Sequence, residues 1–408
     1  MKLILINVVY NNGSTGKVVK DIHQSALSLG IDALAYYGRL NRIREKGVYK
    51  FCTEFEAAVQ KIWNKAGGLM YGGSPFSTWR LISRIKKERP DIVHLHCING
   101  YCVNIYKLLK FLAKNKIKTV VTNRAEFFYT GNCAYSLECN EFMKMPGCIN
   151  CERSKDSTGS LFRKNSSKAW LKMYQAFQMF DKKNLIFTGV SPWVKTRLEL
   201  SPITNKFISC AVENGLDTSI FKHRELPAYL KEKMPDNGQR NIIHVTAVFS
   251  DSKDAFKGGD KIIDLAKQLP DLNFIVVATH VNIKGVLPAN ITFIGRASSQ
   301  EDLAALYSYA DLTVITSKKE TFSMIVAETL ACGTPIVGFK AGGPETITIP
   351  EYSKFVEYGD MNALKEAIKE MLLRKFDKKE IVKGAFIKYD RNRMIKDYIR
   401  VYNELLSE

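Results

Sequence analysis

The sequence of 408 residues lacks the features that mark several classes of protein. No segment reaches the roughly 18 consecutive apolar residues of a transmembrane helix. The first apolar run, Leu3 to Val9, ends without the small-residue cleavage site of a signal peptide, so we expect a cytoplasmic protein. No internal repeat, low-complexity tract or recognised nucleic-acid motif is present, which disfavours a solenoid or a dedicated nucleic-acid binder.

Acidic residues are in deficit, with 41 Asp and Glu against 60 Lys and Arg and a formal net charge of +19. Such an excess favours polyanions or anionic membrane surfaces over neutral partners, and it does not choose between nucleic acid and lipid. The basic residues are scattered through the chain, so a generally basic surface that keeps the protein in solution explains the charge equally well.

The chain is longer than the roughly 250 to 300 residues at which a single core stops growing, so we expect two domains. Short apolar runs alternate with amphipathic stretches from Leu3 to Thr122 and again from Asn241 to Val356, a pattern that predicts parallel strands joined by crossover helices. We therefore predict an α/β protein with two doubly wound, Rossmann-like halves that face a cleft. Its predicted parts are residues 1–212 with a cysteine-rich insertion over about 123–168, residues 213–390, and a C-terminal helix over 391–408 that packs back on the first half.

The sharpest chemical signal is a pair of glutamates, Glu320 and Glu328, with seven residues between them. Eight residues of helix rise about 12 Å, so the two carboxylates would address opposite ends of one ligand. A helix N-terminus between them would offer free N–H groups and a positive dipole to a diphosphate. A nucleotide sugar has this layout, although two surface glutamates on an amphipathic helix would give the same spacing.

The surrounding sequence resembles the donor half of family 4 glycosyltransferases, which have the GT-B fold and retain anomeric configuration. The resemblance is carried by Phe293-Ile-Gly-Arg, Ala310-Asp-Leu, Glu320, Glu328-Thr-Leu-Ala-Cys-Gly-Thr-Pro335 and Gly342-Gly-Pro-Glu345. It implies that Glu320 binds the transferred sugar, that the backbone at Thr321, Phe322 and Ser323 contacts sugar and phosphate, and that Glu328 holds the ribose.

The same resemblance extends upstream to Lys257-Gly258, whose lysine would neutralise the departing diphosphate of a nucleoside-diphosphate sugar. The family usually has an arginine about five residues earlier, where this chain has Ser252. Lys253 would replace it as a point charge without the bidentate geometry of a guanidinium. A solvated lysine at a helix start is the alternative for both positions.

The first half contains a glycine-rich turn, Asn12-Gly13-Ser14-Thr15-Gly16-Lys17, between a predicted strand and a predicted helix. It is not a Walker A loop, because only two residues separate its glycines. The resemblance implies that Gly13 and Gly16 face the cleft and contact donor phosphate or acceptor; a plain tight turn is the alternative.

Further marks of the family are Pro90-Asp-Ile-Val-His94-Leu-His96, Val190-Ser-Pro-Trp193 and Glu213-Asn-Gly-Leu-Asp217. His96, at a strand end, is a candidate for the acceptor region or a satisfied structural histidine. Tyr129-Thr-Gly-Asn-Cys133 and Gly147-Cys-Ile-Asn-Cys151 extend the resemblance to bacterial colanic-acid-type transferases. Many relatives have a His-Asp pair before this Thr-Gly, where this chain has Arg124 and Ala125, so Glu126 becomes the candidate polar group and Arg124 a candidate phosphate ligand.

Cys133, Cys139, Cys148 and Cys151 place four thiols in one short segment. In a reducing cytosol this spacing favours structural zinc, with unliganded thiols or disulfides as the alternatives.

The resemblance implies transfer of a hexosyl unit to a sugar hydroxyl, with an acceptor that is lipid-linked and belongs to surface polysaccharide synthesis at the inner face of the cytoplasmic membrane. No Asp-x-Asp sequence occurs, so a catalytic metal is not expected. The alternatives are a transferase for a soluble carbohydrate or metabolite, a non-enzymatic polyanion or nucleic-acid binder, and an inactive homologue, the last suggested by Ser252, Arg124 and Ala125.

Overall fold

The computed structural model describes residues 1–162, 164–253 and 255–407, which form two compact units. The first unit contains Met1–Glu213 and the segment from Met394 onward, and the second contains Asn214–Arg393. Each unit is built on one parallel sheet with helices between successive strands. The predicted α/β class with two Rossmann-like halves is confirmed.

The sheet of the first unit has seven strands in the order β3-β2-β1-β4-β5-β6-β7. Its strands are β1 (Lys2–Asn7), β2 (Asp32–Tyr37), β3 (Val48–Lys50), β4 (Ile92–Leu95), β5 (Lys118–Asn123), β6 (Leu185–Gly189) and β7 (Ile208–Ala211). Its helices are α1 (Gly13–Ser28), α2 (Glu54–Gly67), α3 (Pro75–Glu88), α4 (Ile105–Lys114), α5 (Phe127–Thr130), α6 (Ser154–Thr158), α7 (Ser166–Gln178) and α8 (Pro192–Leu200), with 3-10 turns at Glu141–Met143 and Lys182–Asn184.

The sheet of the second unit has six strands in the order β10-β9-β8-β11-β12-β13. Its strands are β8 (Arg240–Ser250), β9 (Leu272–Asn282), β10 (Ile291–Gly295), β11 (Leu312–Ile315), β12 (Ile336–Phe339) and β13 (Ser353–Val356). Its helices are α9 (Ala228–Lys231), α10 (Gly259–Gln268), α11 (Gln300–Tyr309), α12 (Met324–Ala331), α13 (Gly343–Ile347), α14 (Met361–Leu373) and α15 (Lys378–Tyr389), with a 3-10 turn at Pro350–Tyr352.

Strand order reverses at one point in each sheet, beside β1 and β4 in the first unit and beside β8 and β11 in the second. Connections on the two sides of such a point leave the sheet in opposite directions, and ligands of open α/β sheets bind there, outside the carboxyl ends of the strands. In the second unit, a ligand site is therefore expected at the segments that follow β8 and β11.

The last helix, α16 (Arg391–Ser407), contributes to the core of the first unit from Met394 onward. Met394, Tyr398, Tyr402 and Leu405 share one helical face and are buried in the same cluster as the inner residues of β1. A fully buried aliphatic side chain in such a cluster stabilises the fold by several kcal/mol, in the range of about 2 to 5 for leucine truncated to alanine.

No helix in the part of the chain that the structure describes is both long and apolar enough to cross a bilayer.

We predict that Leu405→Ala destabilises the first unit by about 2–5 kcal/mol, because Leu405 is fully buried and its truncation leaves a cavity. The neighbouring Leu406 is 41% exposed, so Leu406→Ala is a matched control with an expected change below about 0.5 kcal/mol. Urea unfolding followed by circular dichroism measures both. Equal effects of the two variants would show that α16 does not belong to the core.

Candidate active site

The loop between β8 and α10 brings Lys257 to the end of β11 by a close backbone approach. Gly258 has a φ of +68°, and a Cβ at this position would overlap the Thr316 carbonyl oxygen. The Thr316 hydroxyl donates to the carbonyl oxygens of Lys257 at 3.1 Å and Gly258 at 2.9 Å. Glycine is therefore required at position 258, and this packing fixes the position of the Lys257 backbone.

The loop after β11 is fixed in turn against the loop after β12. The Glu320 N–H donates to the Ala341 carbonyl at 3.0 Å, and the Gly343 N–H donates to the Glu320 carbonyl at 2.8 Å. A Cβ at Gly343 would lie 2.5 Å from the Thr321 carbonyl, so this approach also depends on glycine. Backbone bonds on both sides thus hold Glu320 at the carboxyl edge of the sheet.

These two loops place Lys257 and Glu320 in direct contact. Lys257 Nζ lies 2.5 Å from Glu320 Oε1, and the side chains keep 33% and 14% of their surfaces exposed. The residues are 63 positions apart in sequence, and each was predicted separately as a donor-binding group. The structure therefore brings a cation and a carboxylate together at the switch point of the second sheet, where both reach solvent.

The helix that follows Glu320 is shorter than the glutamate spacing suggested. α12 begins at Met324, and Glu320 to Ser323 form a loop in which Ser323 has a φ of +74°. The prediction that eight helical residues separate the two glutamates is thus wrong, because the backbone of Glu320 pairs with that of Gly342 and cannot turn into a helix. The N-terminus of α12 still follows Glu320 directly, and its first N–H groups have no helical partner.

Two side chains at this helix differ in their hydrogen bonding. The buried Ser323 hydroxyl has no hydrogen-bond partner among the described residues. Glu328, one turn into α12, accepts a hydrogen bond from the Tyr307 hydroxyl at 3.2 Å through Oε2. Burial, and then the Glu328 carboxylate, raise the pKa of Tyr307 well above its usual value, so the phenol stays protonated and can only donate to Glu328.

His244 lies on β8 below this site and is buried. Its Nδ1 lies 3.0 Å from the Val314 carbonyl oxygen, which fixes a protonated Nδ1. Burial lowers the pKa of His244 to about 4, and the positive charge of Lys257 acts in the same direction. His244 is therefore neutral at physiological pH and adds no charge to the Lys257–Glu320 pair.

Lys253 has a different environment from Lys257. Its side chain is exposed and lines a cavity of about 500 Å³ together with Asp251, Asp260 and Lys261. The described contacts do not join it to the Lys257–Glu320 pair, so its expected role as a second phosphate ligand stays a prediction.

In the first unit, the glycine-rich turn is partly helical. α1 begins at Gly13, so Gly13 and Gly16 belong to the first turn of the helix. A Cβ at Gly16 would lie 3.0 Å from the Val9 side chain and 3.2 Å from the Asn11 amide, whereas Gly13 faces open space with a φ of +60°. Gly13 and Ser14 are exposed at the start of this 16-residue helix, whose first N–H groups have no helical partner, whereas the Asn11 N–H donates to the Gly16 carbonyl at 2.9 Å.

His96 follows β4 and is fully buried. Its ring lies 3.9 Å from that of His94, and neither ring nitrogen has a hydrogen-bond partner among the described residues. Burial, His94 and Arg124 lower the pKa of His96 well below its usual value. His94 is instead fully bonded, to the Tyr402 hydroxyl at 2.8 Å and the Thr122 hydroxyl at 2.6 Å, so of these two histidines His96 alone has free hydrogen-bonding capacity within the described ranges.

Glu126 is fully buried and engaged within the fold. It lies 3.2 Å from Arg197 Nε and accepts hydrogen bonds from the Ser136 N–H at 3.0 Å and the Ser136 hydroxyl at 2.6 Å. Arg197 also donates to the Ser136 hydroxyl at 2.6 Å. These bonds tie the cysteine-rich segment to α8 and favour a structural role over the acceptor-binding role expected from sequence.

Arg197 was missed by sequence reasoning, although its position carries a signal. It is buried on the same face of α8 as Val194 and Leu198, at the spacing of an amphipathic helix. A charged residue at an apolar helical position needs a buried partner, because an unpaired charge is costly there. The spacing therefore predicts a partner without naming Glu126.

The four predicted zinc ligands lie near one another, since burial and then Cys133, Cys151 and Cys139 raise the pKa of Cys148, and zinc binding by them stays a prediction. All nine cysteines are free thiols, and in the described ranges no group of three or more His, Cys, Asp or Glu side chains is arranged to hold a metal ion. Cys148 Sγ lies 3.9 Å from the Thr130 carbonyl oxygen, and Cys151 Sγ lies 3.8 Å from the Ser157 hydroxyl. Burial, and then the neighbouring Cys151, raise the pKa of Cys133 to about 12.

The second unit matches a known family model. Residues 248–388 match the model described as glycosyl transferases group 1. The matched segment begins in β8 and ends in α15, so it includes Lys257, Glu320 and Glu328.

Two curated relatives differ in how much of the chain they match. The N-acetyl-alpha-D-glucosaminyl L-malate synthase of Bacillus anthracis is 21% identical over 221 residues, which are 48% of this chain and 54% of that one. The match thus spans about half the length of that relative. The putative colanic acid biosynthesis glycosyl transferase WcaC of Escherichia coli is 19% identical over 432 residues, which are 99% of this chain and 100% of that one.

A solved structure supports the same fold. HepE of Anabaena, solved in complex with UDP, aligns with a TM-score of 0.63 and 14% identity over 99% of this chain and 100% of that one. The architecture is the one that GT-B glycosyltransferases have, and the family match over residues 248–388 supports a glycosyltransferase.

We predict that Arg197→Met destabilises the protein by about 3–5 kcal/mol, because it leaves the buried Glu126 carboxylate without its cation. Lys195→Met on the same helix is the control: it removes an exposed pair with Glu199, for which about 0–1 kcal/mol is expected. Chemical denaturation measures both, and adding Glu126→Gln to Arg197→Met should recover part of the loss. Equal effects of the two single variants would contradict a structural ion pair.

We also predict that stability of the second unit falls as the pH drops from about 7 to 5. The unfolded chain binds a proton at His244 near the ordinary histidine pKa of 6.5, whereas the folded unit binds it only near a pKa of about 4. As the pH falls, the unfolded state therefore binds the proton at a higher pH than the folded state does. The free energy of unfolding is lower by about 2 kcal/mol at pH 5 as a result.

Urea midpoints at the two pH values test this effect in His244→Asn, which should show a weaker pH dependence. His280→Asn is the control, because His280 is exposed on β9 and should leave the pH dependence unchanged. The same slope in both variants would show that His244 does not contribute to it.

Proposed function

We propose that the protein transfers a hexosyl unit from a UDP-sugar to a sugar hydroxyl with retention of anomeric configuration. The observation that carries the proposal is the Lys257–Glu320 pair, 2.5 Å apart at the switch point of the group 1 domain and directly before the N-terminus of α12. UDP is favoured as the nucleotide because the neighbour HepE was solved with it.

The charges at this point suit a departing diphosphate. Lys257 carries the cation, and the free N–H groups at the start of α12 add partial positive charge. Glu320 holds the lysine in place, so little reorganisation is needed as negative charge develops on the leaving group. With no Asp-x-Asp sequence in the chain, we assign leaving-group stabilisation to these groups, and activity should persist in the presence of a chelator.

The neighbouring residues fit the rest of a nucleotide sugar. We assign Glu320 to a hydroxyl of the transferred sugar, and Thr321, Phe322 and Ser323 to contacts with sugar and phosphate, for which the Ser323 hydroxyl has free hydrogen-bonding capacity. Glu328 is assigned to the ribose hydroxyls. The hydrogen bond from Tyr307 orients the Glu328 carboxylate for that role.

Two further groups are assigned to donor or acceptor binding. We assign Lys253 as a second cation in place of the arginine that Ser252 replaces, because it is exposed on the same β8–α10 loop. Gly13 and Gly16 are assigned to phosphate or acceptor binding, since the N-terminus of α1 presents free N–H groups. Arg124 is buried beside His96 and is not assigned to phosphate.

We assign His96, which follows β4, to the acceptor side of the site as a neutral group. Its lowered pKa keeps the imidazole uncharged, and both ring nitrogens have unused capacity among the described residues. In the reaction the bond from the anomeric carbon to the diphosphate oxygen breaks, the acceptor hydroxyl oxygen bonds to that carbon on the same face, and the hydroxyl proton passes to the departing diphosphate oxygen. Glu126, tied to Arg197, is assigned only to holding the fold.

We further propose that the acceptor is lipid-linked and that the enzyme works at the inner face of the cytoplasmic membrane. The full-length similarity to a putative colanic acid transferase supports this acceptor class. The net charge of +19 supports attraction to anionic lipid headgroups. A soluble acceptor is the second candidate, since one relative is named for a glucosaminyl malate product.

The donor assignment is tested by thermal unfolding with UDP-, GDP-, ADP- and dTDP-sugars. We expect one UDP-sugar to stabilise the protein, by about 2.7 kcal/mol at roughly a hundredfold excess over Kd. Glu320→Gln and Glu328→Ala should weaken this shift. Lys257→Ala should lower kcat about a hundredfold or more, because it removes a cation from the leaving group.

Glu366→Gln is the control for the carboxylate variants, because Glu366 lies on the exposed face of α14 in the same unit. Turnover on lipid-linked and soluble acceptors then separates the two acceptor classes. Absence of any shift with a nucleotide sugar, together with tight polyanion binding, would overturn the enzymatic proposal. Donor binding without turnover on any acceptor would indicate an inactive homologue.

A further inference from the structure

Helix α2 of the first unit turns its apolar side away from the protein. Its buried residues, Ala57 and Asn64, lie on one side of the helix, and the opposite side carries large exposed side chains. At about 100° per residue the outward stripe consists of Phe55, Ala58, Val59, Ile62 and Ala66, with Trp63 at its border. A helix that only served the core would show the reverse arrangement.

Helix α3 adds two aromatic side chains beside this stripe. Phe76 and Trp79 are exposed in its first turns, while Ser77, Leu81 and Ile85 are buried. Hydrogen bonds hold the two helices together at this end. The Glu56 carboxylate of α2 accepts from the Ser77 N–H at 3.0 and 3.1 Å and from the Ser77 hydroxyl, and Gln60 Oε1 accepts from the Ser74 N–H at 3.3 Å.

The segment after α6 brings two more apolar side chains to the other end of α2. The Leu161 N–H donates to the Lys65 carbonyl at 2.9 Å, and the Asn64 side chain donates to the Thr158 carbonyl at 2.6 Å. These bonds hold Leu161 and Phe162 next to the last turn of α2. The outward apolar face thus has seven large side chains, each 60–80% exposed: Phe55, Ile62, Trp63, Phe76, Trp79, Leu161 and Phe162.

An exposed set of this kind needs an explanation. Single exposed apolar residues are normal on a protein surface, but contiguous apolar patches mark interaction sites. Here backbone and side-chain hydrogen bonds from three segments hold the residues in one region of the first unit.

Exposed basic side chains lie on the same two helices as the outward apolar face. Lys61 and Lys65 are exposed on α2, and Arg84, Lys86 and Lys87 on α3. A neighbouring cavity of about 860 Å³ between β3 and α3 is lined by five basic residues and two acidic ones: Arg42, Arg44, Lys50, Arg80 and Arg84, with Glu45 and Glu54. Positive charge beside aromatic side chains complements a surface of anionic headgroups over hydrocarbon.

We propose that the outward apolar face docks the first unit on an anionic lipid bilayer, with its tryptophan and phenylalanine side chains at the headgroup–acyl boundary and the surrounding lysines and arginines on lipid phosphates. Tryptophan is favoured at that boundary, and long basic side chains extend from it to the headgroups. A protein partner is disfavoured because lysine is depleted in protein–protein interfaces, whereas α2 and α3 expose four lysines. The outward apolar face specifies which surface binds the membrane, and its purpose rests on the proposed function.

The test is co-sedimentation of the full chain with vesicles of phosphatidylglycerol and phosphatidylcholine, or of phosphatidylcholine alone. We expect binding to the anionic vesicles that weakens with salt, and a loss of at least about tenfold in the double variant Trp63→Ser/Trp79→Ser. Lys61→Glu/Lys65→Glu should also weaken binding. Leu373→Ser/Ile387→Ser is the matched control, because both residues are highly exposed but lie in the second unit.

Tryptophan fluorescence gives a second readout. The chain has four tryptophans, and Trp170 is fully buried, so insertion of Trp63 and Trp79 should shift emission to shorter wavelength and make it sensitive to brominated lipid. Binding that is equal in Trp63→Ser/Trp79→Ser and in the control, or equal on both kinds of vesicle, would overturn the proposal. So would self-association through this face without vesicle binding.

Thermal shifts with nucleotide sugars, measured on the same variants without lipid, keep this inference separate from the proposed activity. Intact donor binding with lost vesicle binding in the tryptophan variant supports the docking face alone. Donor binding that fails in every variant, with vesicle binding preserved in the control, would contradict the proposed function and leave the docking face standing.

Discussion

The second unit depends on one constraint, the close approach of three loops at the carboxyl edge of its sheet. Gly258 lies against Thr316, and Gly343 lies against Thr321, at distances that a Cβ would not allow. Because the loops meet, Lys257 and Glu320 come within 2.5 Å although they leave different strands. The ion pair is therefore a consequence of backbone packing and does not need its own attraction to form. Two glycines, which carry no chemistry, decide where the charged groups lie.

The first unit is organised differently, around buried polar groups. His94 bonds to Tyr402 of α16 and to Thr122 of β5, and Glu126 bonds to Arg197 of α8. Polar groups in a core are stabilising only when their partners are in place, so these contacts specify how α16 and the cysteine-rich segment sit on the sheet. His96 differs from His94 and Glu126, since neither of its ring nitrogens is bonded in the described structure. The acceptor assignment rests on that difference.

Much of the fold could be predicted from the sequence because periodicity is local. Apolar spacing after a glycine or serine N-cap predicts helices over Gly259–Gln268 and Gln300–Tyr309, and α10 and α11 have these bounds. The pattern did not single out β2, β3, β6 and β7 or the helices α2, α3, α7 and α8; β3 has only three residues, and the apolar side of α2 faces solvent. In the site, spacing pointed to Glu320 and Glu328, and the family resemblance assigned their roles and added Lys257. Three features depend on tertiary packing and could not be predicted from spacing. They are the loop from Glu320 to Ser323, the hydrogen bond from Tyr307 to Glu328, and the absence, among the described residues, of a group of cysteines arranged to hold a metal.

The proposed chemistry requires that the diphosphate of a UDP-sugar lies between Lys257 and the N-terminus of α12. A crystal structure of the protein with UDP would decide whether it does. We expect phosphate oxygens within hydrogen-bond distance of Lys257 Nζ and of backbone N–H groups of Thr321 to Ser323, with the ribose on Glu328. Density for the diphosphate elsewhere, with the Lys257–Glu320 pair unchanged and Glu328 without a ribose contact, would refute this placement.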